Sequence, residues 1–390
     1  MEQKNRPPRI LYVSHRYHTN QVPIMKGWAK IGASVLFLVT YIGAIESHDS
    51  VRLHKLRPSL FTRLAHKIID WKYNVVDAEN KKSHIFRPDF YDVYRQIKNF
   101  RPDFVIIRNF SLGNLKIILI CRLLGIKNII MYVQEPVYGK VGASGSMKEI
   151  FRRNLFPSAV FSPVLYRGEE RSKDILSEYV KYFVPLVCEM TSVKRETYCC
   201  NGKIKILDVG KYREYKNHFF VVDAISKMKH PENVEVTIIG QLTNGMEREY
   251  FNSLKEYVEE RHLEKTIILR GNVDYGMMDE IYSQHDVLLL ASKVETAGMV
   301  VLEAMSQGLC VISGTNCGLT CYLNEYECGI SFPTNNISAL VEILDEISEK
   351  KSKIVQLGQR AQKIAKKEFC FDKYKEGLNR ILQAEYNHTI

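Results

Sequence analysis

Residues 286–313, DVLLLASKVETAGMVVLEAMSQGLCVIS, leave this chain few ways to fold. Residues 287–291 form an unbroken apolar run of the length expected for a buried strand. Residues 292–298 are mostly polar and end in Gly298, as a loop does. Residues 299–307 suit a helix, Gly308 stops it, and 309–313 are apolar again. A strand, loop, helix and strand in so short a span build a parallel sheet. Ligands on such sheets collect at the carboxyl ends of the strands, where this loop lies.

The loop and helix carry two carboxylates, Glu295 and Glu303, with seven residues between them. Ala297 and Gly298 permit close backbone approach at the helix start, and the exposed N–H groups there favour an anion. Glu303 falls about 6 Å further along the helix axis than the residues at its start. Two carboxylates repel a phosphate unless each meets a hydroxyl donor. Hydroxyls on both sides of a diphosphate describe a nucleotide sugar, with sugar on one side and ribose on the other. The ordinary fate of a helical glutamate is solvation. What singles out this pair is the glycine-containing strand-to-helix loop it flanks.

The segment ETAGMVVLEAMSQGLCVIS resembles the E-x7-E signature of the retaining GT-B glycosyltransferases of the group 1, or GT4-like, family. Ser292, Glu295, Gly298, Leu302-Glu303-Ala304 and Gly308 stand where that family has its serine, first glutamate, loop glycine, Leu-Glu-Ala and following glycine. The chain departs at Thr296-Ala297 and places Cys310 where proline is common. The match is specific over some 25 residues and weaker over the rest of the C-terminal half.

The resemblance implies an α/β protein of GT-B fold, two Rossmann-like doubly wound domains facing across a cleft. It implies a nucleotide-diphosphate sugar as donor, transfer with retention of configuration, and no metal or other cofactor. Glu295 and the backbone of Thr296, Ala297, Gly298 and Met299 would hold the sugar, and Glu303 the ribose. The family has Gly-Arg after the first strand of its second domain and a lysine five residues on. Gly210-Lys211 and Lys216 occupy those places. Two cations at a strand mouth can neutralise a departing diphosphate, the work of a metal in other transferases. The turn Gly271-Asn272-Val273 is where the family lays the nucleotide base against backbone, which puts Val273 at the donor. On the acceptor side the first loop, His15 to Gln21, has no glycine where the family often shows Gly-Gly. His15 at a strand end reads as a ligand contact or as an ordinary loop histidine. Where the family often carries a histidine near the reacting sugar, Gln134 and Glu135 stand.

At 390 residues two domains are expected. Strand-like runs at 9–14, 33–40, 104–108, 128–133, 159–162 and 182–186 alternate with helical stretches at 23–30, 91–100, 112–124, 147–155 and 168–176. We place a basic, acceptor-side domain at 1–187, a linker at 188–202 where Asn201-Gly202 signals a turn, and the nucleotide-sugar domain at 203–368. In the second domain 203–209, 234–239 and 266–269 read as strands, and 218–228, 247–261, 275–283, 337–349 and 352–368 as helices. Residues 369–390 resemble the family's terminal helix, which packs back on the first domain.

Charge is uneven. Residues 1–190 hold 30 Lys and Arg against 16 Asp and Glu, a balance of +14, whereas 191–390 hold 25 against 28. A basic half calls for an anionic partner: a phospholipid surface, a lipid-phosphate acceptor or nucleic acid. Over 51–76, Leu60, Leu64, Ile68 and Trp71 fall on one helical stripe beside Phe61, with Arg57, Arg63, Lys67 and Lys72 mostly elsewhere. Such a helix lies on an anionic membrane or turns its stripe to the core. The N-terminus lacks a signal-peptide pattern, and no apolar stretch is long enough to span a bilayer. Nine cysteines without C-x2-C spacing read as reduced thiols rather than a zinc site. These features point to a cytoplasmic protein, working on the inner face of the plasma membrane.

The reading is a glycosyltransferase acting on a glycan or lipid-linked glycan in bacterial cell-surface polysaccharide or lipopolysaccharide synthesis. A glycosidase carboxylate pair is disfavoured because a hydrolase has no diphosphate for the lysines to hold. A nucleotide-sugar 2-epimerase shares the architecture but leaves the basic half unexplained. A nucleotide-sugar sensor without catalysis is a further alternative. A nucleic-acid-binding protein lacks support, since no recognition motif and no basic run with interleaved aromatics is present.

Overall fold

The apolar runs become the strands of two parallel sheets in the computed structural model of the chain. The structure describes residues 6–42, 48–72, 85–134, 155–164, 180–191 and 194–390. The first sheet contains β1 (Arg9–Arg16), β2 (Ser34–Tyr41), β3 (Arg52–Lys55), β4 (Phe104–Arg108), β5 (Ile129–Tyr132), β6 (Val160–Ser162) and β7 (Tyr182–Phe183). Their spatial order is β3-β2-β1-β4-β5-β6-β7. The second contains β8 (Ile204–Val209), β9 (Val234–Gly240), β10 (Ile267–Gly271), β11 (Val287–Leu290), β12 (Cys310–Gly314) and β13 (Ile330–Phe332), ordered β10-β9-β8-β11-β12-β13. The order reverses between β1 and β4 and again between β8 and β11. Each reversal opens a crevice at the carboxyl ends, because the connections leave the two central strands toward opposite sides.

The inner strands are apolar on both faces because helices cover both. In the first sheet, α1 (Val22–Lys30) lies on one face, and α3 (Phe90–Phe100) and α4 (Leu112–Leu123) on the other. A further helix, α2 (Leu60–Lys72), follows β3. The second sheet carries α5 (His218–Ser226), α6 (Gly245–Glu260), α7 (Met278–Ser283), α8 (Met299–Ser306), α9 (Thr320–Glu325), α10 (Ile337–Glu349) and α11 (Lys351–Glu368).

The last helix, α12 (Phe371–Tyr386), leaves the second sheet and completes the first core. Tyr374, Leu378, Ile381 and Leu382 pack with Ile10, Tyr12 and Trp28. Phe371 meets Trp28 edge-on, ring centroids 4.9 Å apart. A Cβ at Gly27 would lie 2.1 Å from the Phe371 ring, so only glycine permits this approach. Tyr12 accepts a hydrogen bond from Trp28 Nε1 at 2.8 Å and shares one with Tyr374 at 3.1 Å. Between Phe183 and Ile204 the described residues form neither strand nor helix. Arg195 fixes that passage to the second domain through Asp286 at 3.2 Å.

The structure corrects several local expectations. Residues 51–76 are not one helix. Arg52–Lys55 is an edge strand paired with Leu36–Val39, and helix begins only at Leu60, beyond Pro58. Pro58 disfavours helical backbone at Arg57, which ends any continuous helical reading. Residues 275–283 divide into a 3-10 turn, Tyr275–Met277, and α7. The strand β13 and helix α9 are too short to show a period in sequence. The expected helices over 147–155 and 168–176, and Glu135, lie outside the described residues, apart from residue 155.

Candidate active site

The crevice at the β8/β11 reversal is built by three loops. Gly210 directly follows β8 and donates its N–H to Ile239 O of β9 at 2.9 Å. A Cβ there would come within 2.9 Å of Lys216 Cδ, so the absent side chain leaves room for the lysine stem. A 3-10 turn, Glu214–Lys216, then delivers Lys216. Asn217 closes it in the left-handed region, φ 64°, which asparagine tolerates better than most residues. Its side-chain amide donates to Ala291 O at 3.1 Å, tying the Lys216 loop to the end of β11.

The loop after β11 brings Glu295 back to Lys216, and their side chains form a direct ion pair. Glu295 N donates to Asn316 O at 3.2 Å, and Gly318 N donates to Glu295 O at 3.0 Å, so the loop following β12 clamps its backbone. Gly298, at φ 76°, makes the turn into α8. A Cβ on it would lie 2.6 Å from Cys317 Sγ, which adds a steric demand for glycine to the conformational one. Ala297 is buried against the same wall, and its carbonyl accepts from Leu319 N at 3.0 Å. Met299 opens α8 at the cleft.

Electrostatics follow from partial burial. Desolvation works against the Lys216 charge, but the Glu295 carboxylate, Tyr215 and Asp208 together outweigh it and hold the ammonium above its ordinary pKa. Further along α8, Glu303 accepts from Tyr282 Oη at 2.7 Å and from Tyr275 Oη at 3.4 Å. Burial raises its carboxyl above the usual range, and the two tyrosine hydrogen bonds oppose that rise.

Behind Lys216 lies a pair that sequence reading missed. Asp208 in β8 and His218 in α5 are both buried, with Oδ2 and Nε2 3.9 Å apart. Burial pushes the Asp208 carboxyl up to about 7, against the pull of Lys216. Burial also holds His218 down to about 3, and the Lys216 charge adds to this. The available signal was an aspartate inside the apolar run KIKILDV, two residues before the glycine turn.

A cavity of about 860 Å³ lies between the two domains. Thr19, Asn20 and Lys26 line it from the first domain; Tyr275, Met299 and Glu303 line it from the second. Lys26 and Glu189 on its wall are ion-paired. The cavity reaches Glu303 and Met299 but not Lys216 or Glu295, so the two glutamates occupy different parts of the crevice. Lys211 is exposed and stands outside the Lys216–Glu295 pair. Val273 packs at the edge of the core beneath α8 and does not line the cavity. Across the cleft, His15 at the end of β1 is hydrogen-bonded to Thr40. Gln134 is buried beyond β5, where its Oε1 accepts from Tyr132 and from Arg108 Nη2 at 3.2 Å. The structure brings Lys216 together with Glu295; His15 and Gln134 belong to the first domain and neither lines the cavity. Among the described residues, His, Cys, Asp and Glu side chains form no cluster able to hold a metal.

Residues 194–364 match the family model for "Glycosyl transferases group 1". The mannosylfructose-phosphate synthase of Agrobacterium fabrum is 27% identical over 129 residues, which are 32% of this chain and 28% of that protein. The chain therefore spans little more than a quarter of that curated relative. A glycosyltransferase structure from Rickettsia africae superposes with a TM-score of 0.74 at 15% identity, over 98% of this chain and 99% of that one. The Anabaena protein Alr3699/HepE, solved in complex with UDP, superposes with a TM-score of 0.69 at 13% identity, over 96% and 100%. Likenesses at these identities establish a shared fold, that of the GT-B glycosyltransferases.

Proposed function

For a chain whose residues 194–364 match the group 1 glycosyl transferase model and whose fold is that of the GT-B glycosyltransferases, we propose transfer of a sugar from a nucleotide-diphosphate donor to an acceptor across the cleft. The observation that carries this is the ion pair of Lys216 with Glu295 beside the helix start at Gly298, with Glu303 held further along the same helix. A diphosphate entering there exchanges one anion for another at Lys216. Glu295 is then released to accept from sugar hydroxyls, and Glu303 accepts from the ribose. Lys211 adds a second positive charge at the strand mouth. That the Anabaena relative binds UDP supports a nucleotide donor.

The finer terms belong to the same proposal. Transfer retains configuration, with catalysis largely electrostatic and positional. The lysines and the N–H groups at the start of α8 meet the leaving diphosphate, so the reaction runs without added metal. The acceptor is a glycan or lipid-linked glycan of cell-surface polysaccharide or lipopolysaccharide synthesis, met at the inner face of the plasma membrane, with His15 and Gln134 on its side of the cleft.

The test is calorimetric titration of the purified protein with UDP, GDP, ADP and CMP, with and without chelator. Binding of one nucleotide that survives chelation and is lost in Lys216→Ala supports the reading. Binding of none overturns it.

A further inference from the structure

The sequence left open whether the apolar stripe of α2 turns inward or outward, and the structure turns it outward. Leu60, Phe61, Leu64, Ile68 and Trp71 are 69%, 68%, 63%, 62% and 88% exposed. At about 100° per residue they fill one sector of roughly 100°. The opposite side of the helix attaches to the protein: Thr62 is its buried residue, and its Oγ1 accepts from Arg87 N at 2.9 Å and donates to Arg87 O at 3.0 Å. None of the five apolar side chains joins a hydrophobic core among the described residues. Arg63 and Lys67 flank the stripe on one side and Lys72 on the other, all exposed.

The surface continues beyond α2. Pro58, just before α2, bridges to Pro88, just before α3, and Lys116 of α4 donates to Pro88 O at 2.7 Å. The starts of these neighbouring helices present Phe90, Tyr91 and Leu112, each 47% exposed or more. α2 follows β3 and α4 follows β4, so this surface lies at the carboxyl edge of the sheet. His15 and the cleft stand at that same edge.

We propose that this face docks the protein on an anionic lipid surface, with α2 lying in the interface plane. An exposed apolar sector with aromatics, flanked by cations and carried on a half with a balance of +14, matches the amphipathic helices that bind such surfaces. A second copy of the chain is the poorer occupant, because it brings the same excess of positive charge. No helix among the described residues is long and apolar enough to cross a membrane. The docking stands on the exposed stripe and its charge; only its link to a lipid-linked acceptor rests on the transferase reading.

The chain has two tryptophans, Trp28 fully buried and Trp71 exposed, so Trp71 reports the docking directly. The experiment is flotation of the full chain with phosphatidylglycerol-containing vesicles and with pure phosphatidylcholine vesicles at about 0.1 M salt, with tryptophan emission recorded. The expected result is flotation with the anionic vesicles only, a blue shift on binding, and release at about 1 M salt. The double variant Leu64→Glu, Ile68→Glu changes exposed positions away from the cleft. It loses vesicle binding at least tenfold and keeps its nucleotide titration unchanged. Failure of the wild type to bind anionic vesicles overturns the proposal, as does a variant that binds like the wild type. A dimer that the variant abolishes, with no vesicle binding, assigns the face to a second copy and equally overturns it. Vesicle binding by a protein that takes up no nucleotide leaves the docking in place and removes the transferase reading.

Discussion

Lys216 and Glu295, 79 residues apart in sequence, neutralise each other at the mouth of the β8/β11 crevice, each side chain less than one-fifth exposed. The pair keeps two opposite charges in place before any ligand arrives. It also means that an entering diphosphate must compete with Glu295 for the ammonium.

Replacing Lys216 by alanine is therefore expected to remove the main contact to the diphosphate. A charge-assisted hydrogen bond contributes about 1.5–3 kcal/mol, or roughly 10- to 100-fold in Kd. Calorimetry with the nucleotide that binds the wild type reads this directly. An unchanged Kd would separate Lys216 from the donor.

The two glutamates are expected to fail differently. Glu303→Ala, which leaves Tyr282 and Tyr275 without their acceptor, should weaken nucleotide binding about tenfold or more. Glu295→Ala frees the Lys216 ammonium, so nucleotide affinity should hold or tighten, while sugar transfer slows by roughly 100-fold. Kd and single-turnover rate measured on both variants separate the roles. Equal and negligible effects would remove both from the site.

Gly298→Ala should lower stability before it affects anything else. Holding a non-glycine residue at φ 76° costs about 1–2 kcal/mol, and the new methyl would also press on Cys317 Sγ. Urea unfolding is expected to show a reduced midpoint. Adding Cys317→Ala should recover the steric part but not the conformational part.

The buried Asp208–His218 pair predicts a pH dependence of stability. Asp208 has a folded pKa of about 7, above its unfolded value, so the folded state binds the extra proton and stability falls as pH rises toward 7. His218 is depressed to about 3, so the unfolded state binds the extra proton and stability rises with pH from about 3 to the ordinary histidine range. The two slopes oppose each other between about pH 4 and pH 6.5. Asp208→Asn removes the falling slope. Its stability relative to wild type should increase through this window and level off above about pH 7. Denaturant midpoints at several pH values check this, and a constant difference across the window would contradict it.

Sequence by itself determined much of the local architecture. The run 287–291, the loop closing on Gly298 and the helix carrying Glu303 are dictated by short-range rules: apolar length, a glycine able to take positive φ, and helix-forming residues that follow. The same rules located most strands of both sheets and the irregular passage before β8. They also identified the stripe of Leu60, Leu64, Ile68 and Trp71, since periodicity is a property of the segment alone. Only the tertiary structure decided what faces that stripe, because whether a side chain is covered depends on residues far away in the chain. For the same reason it alone showed Lys216 against Glu295, Phe371 seated over Gly27, and Arg52–Lys55 as an edge strand whose partner lies in another segment. Asp208 and His218 were invisible as a pair because nothing in either neighbourhood encodes the other; burial in a shared interior brings them together and shifts their protonation.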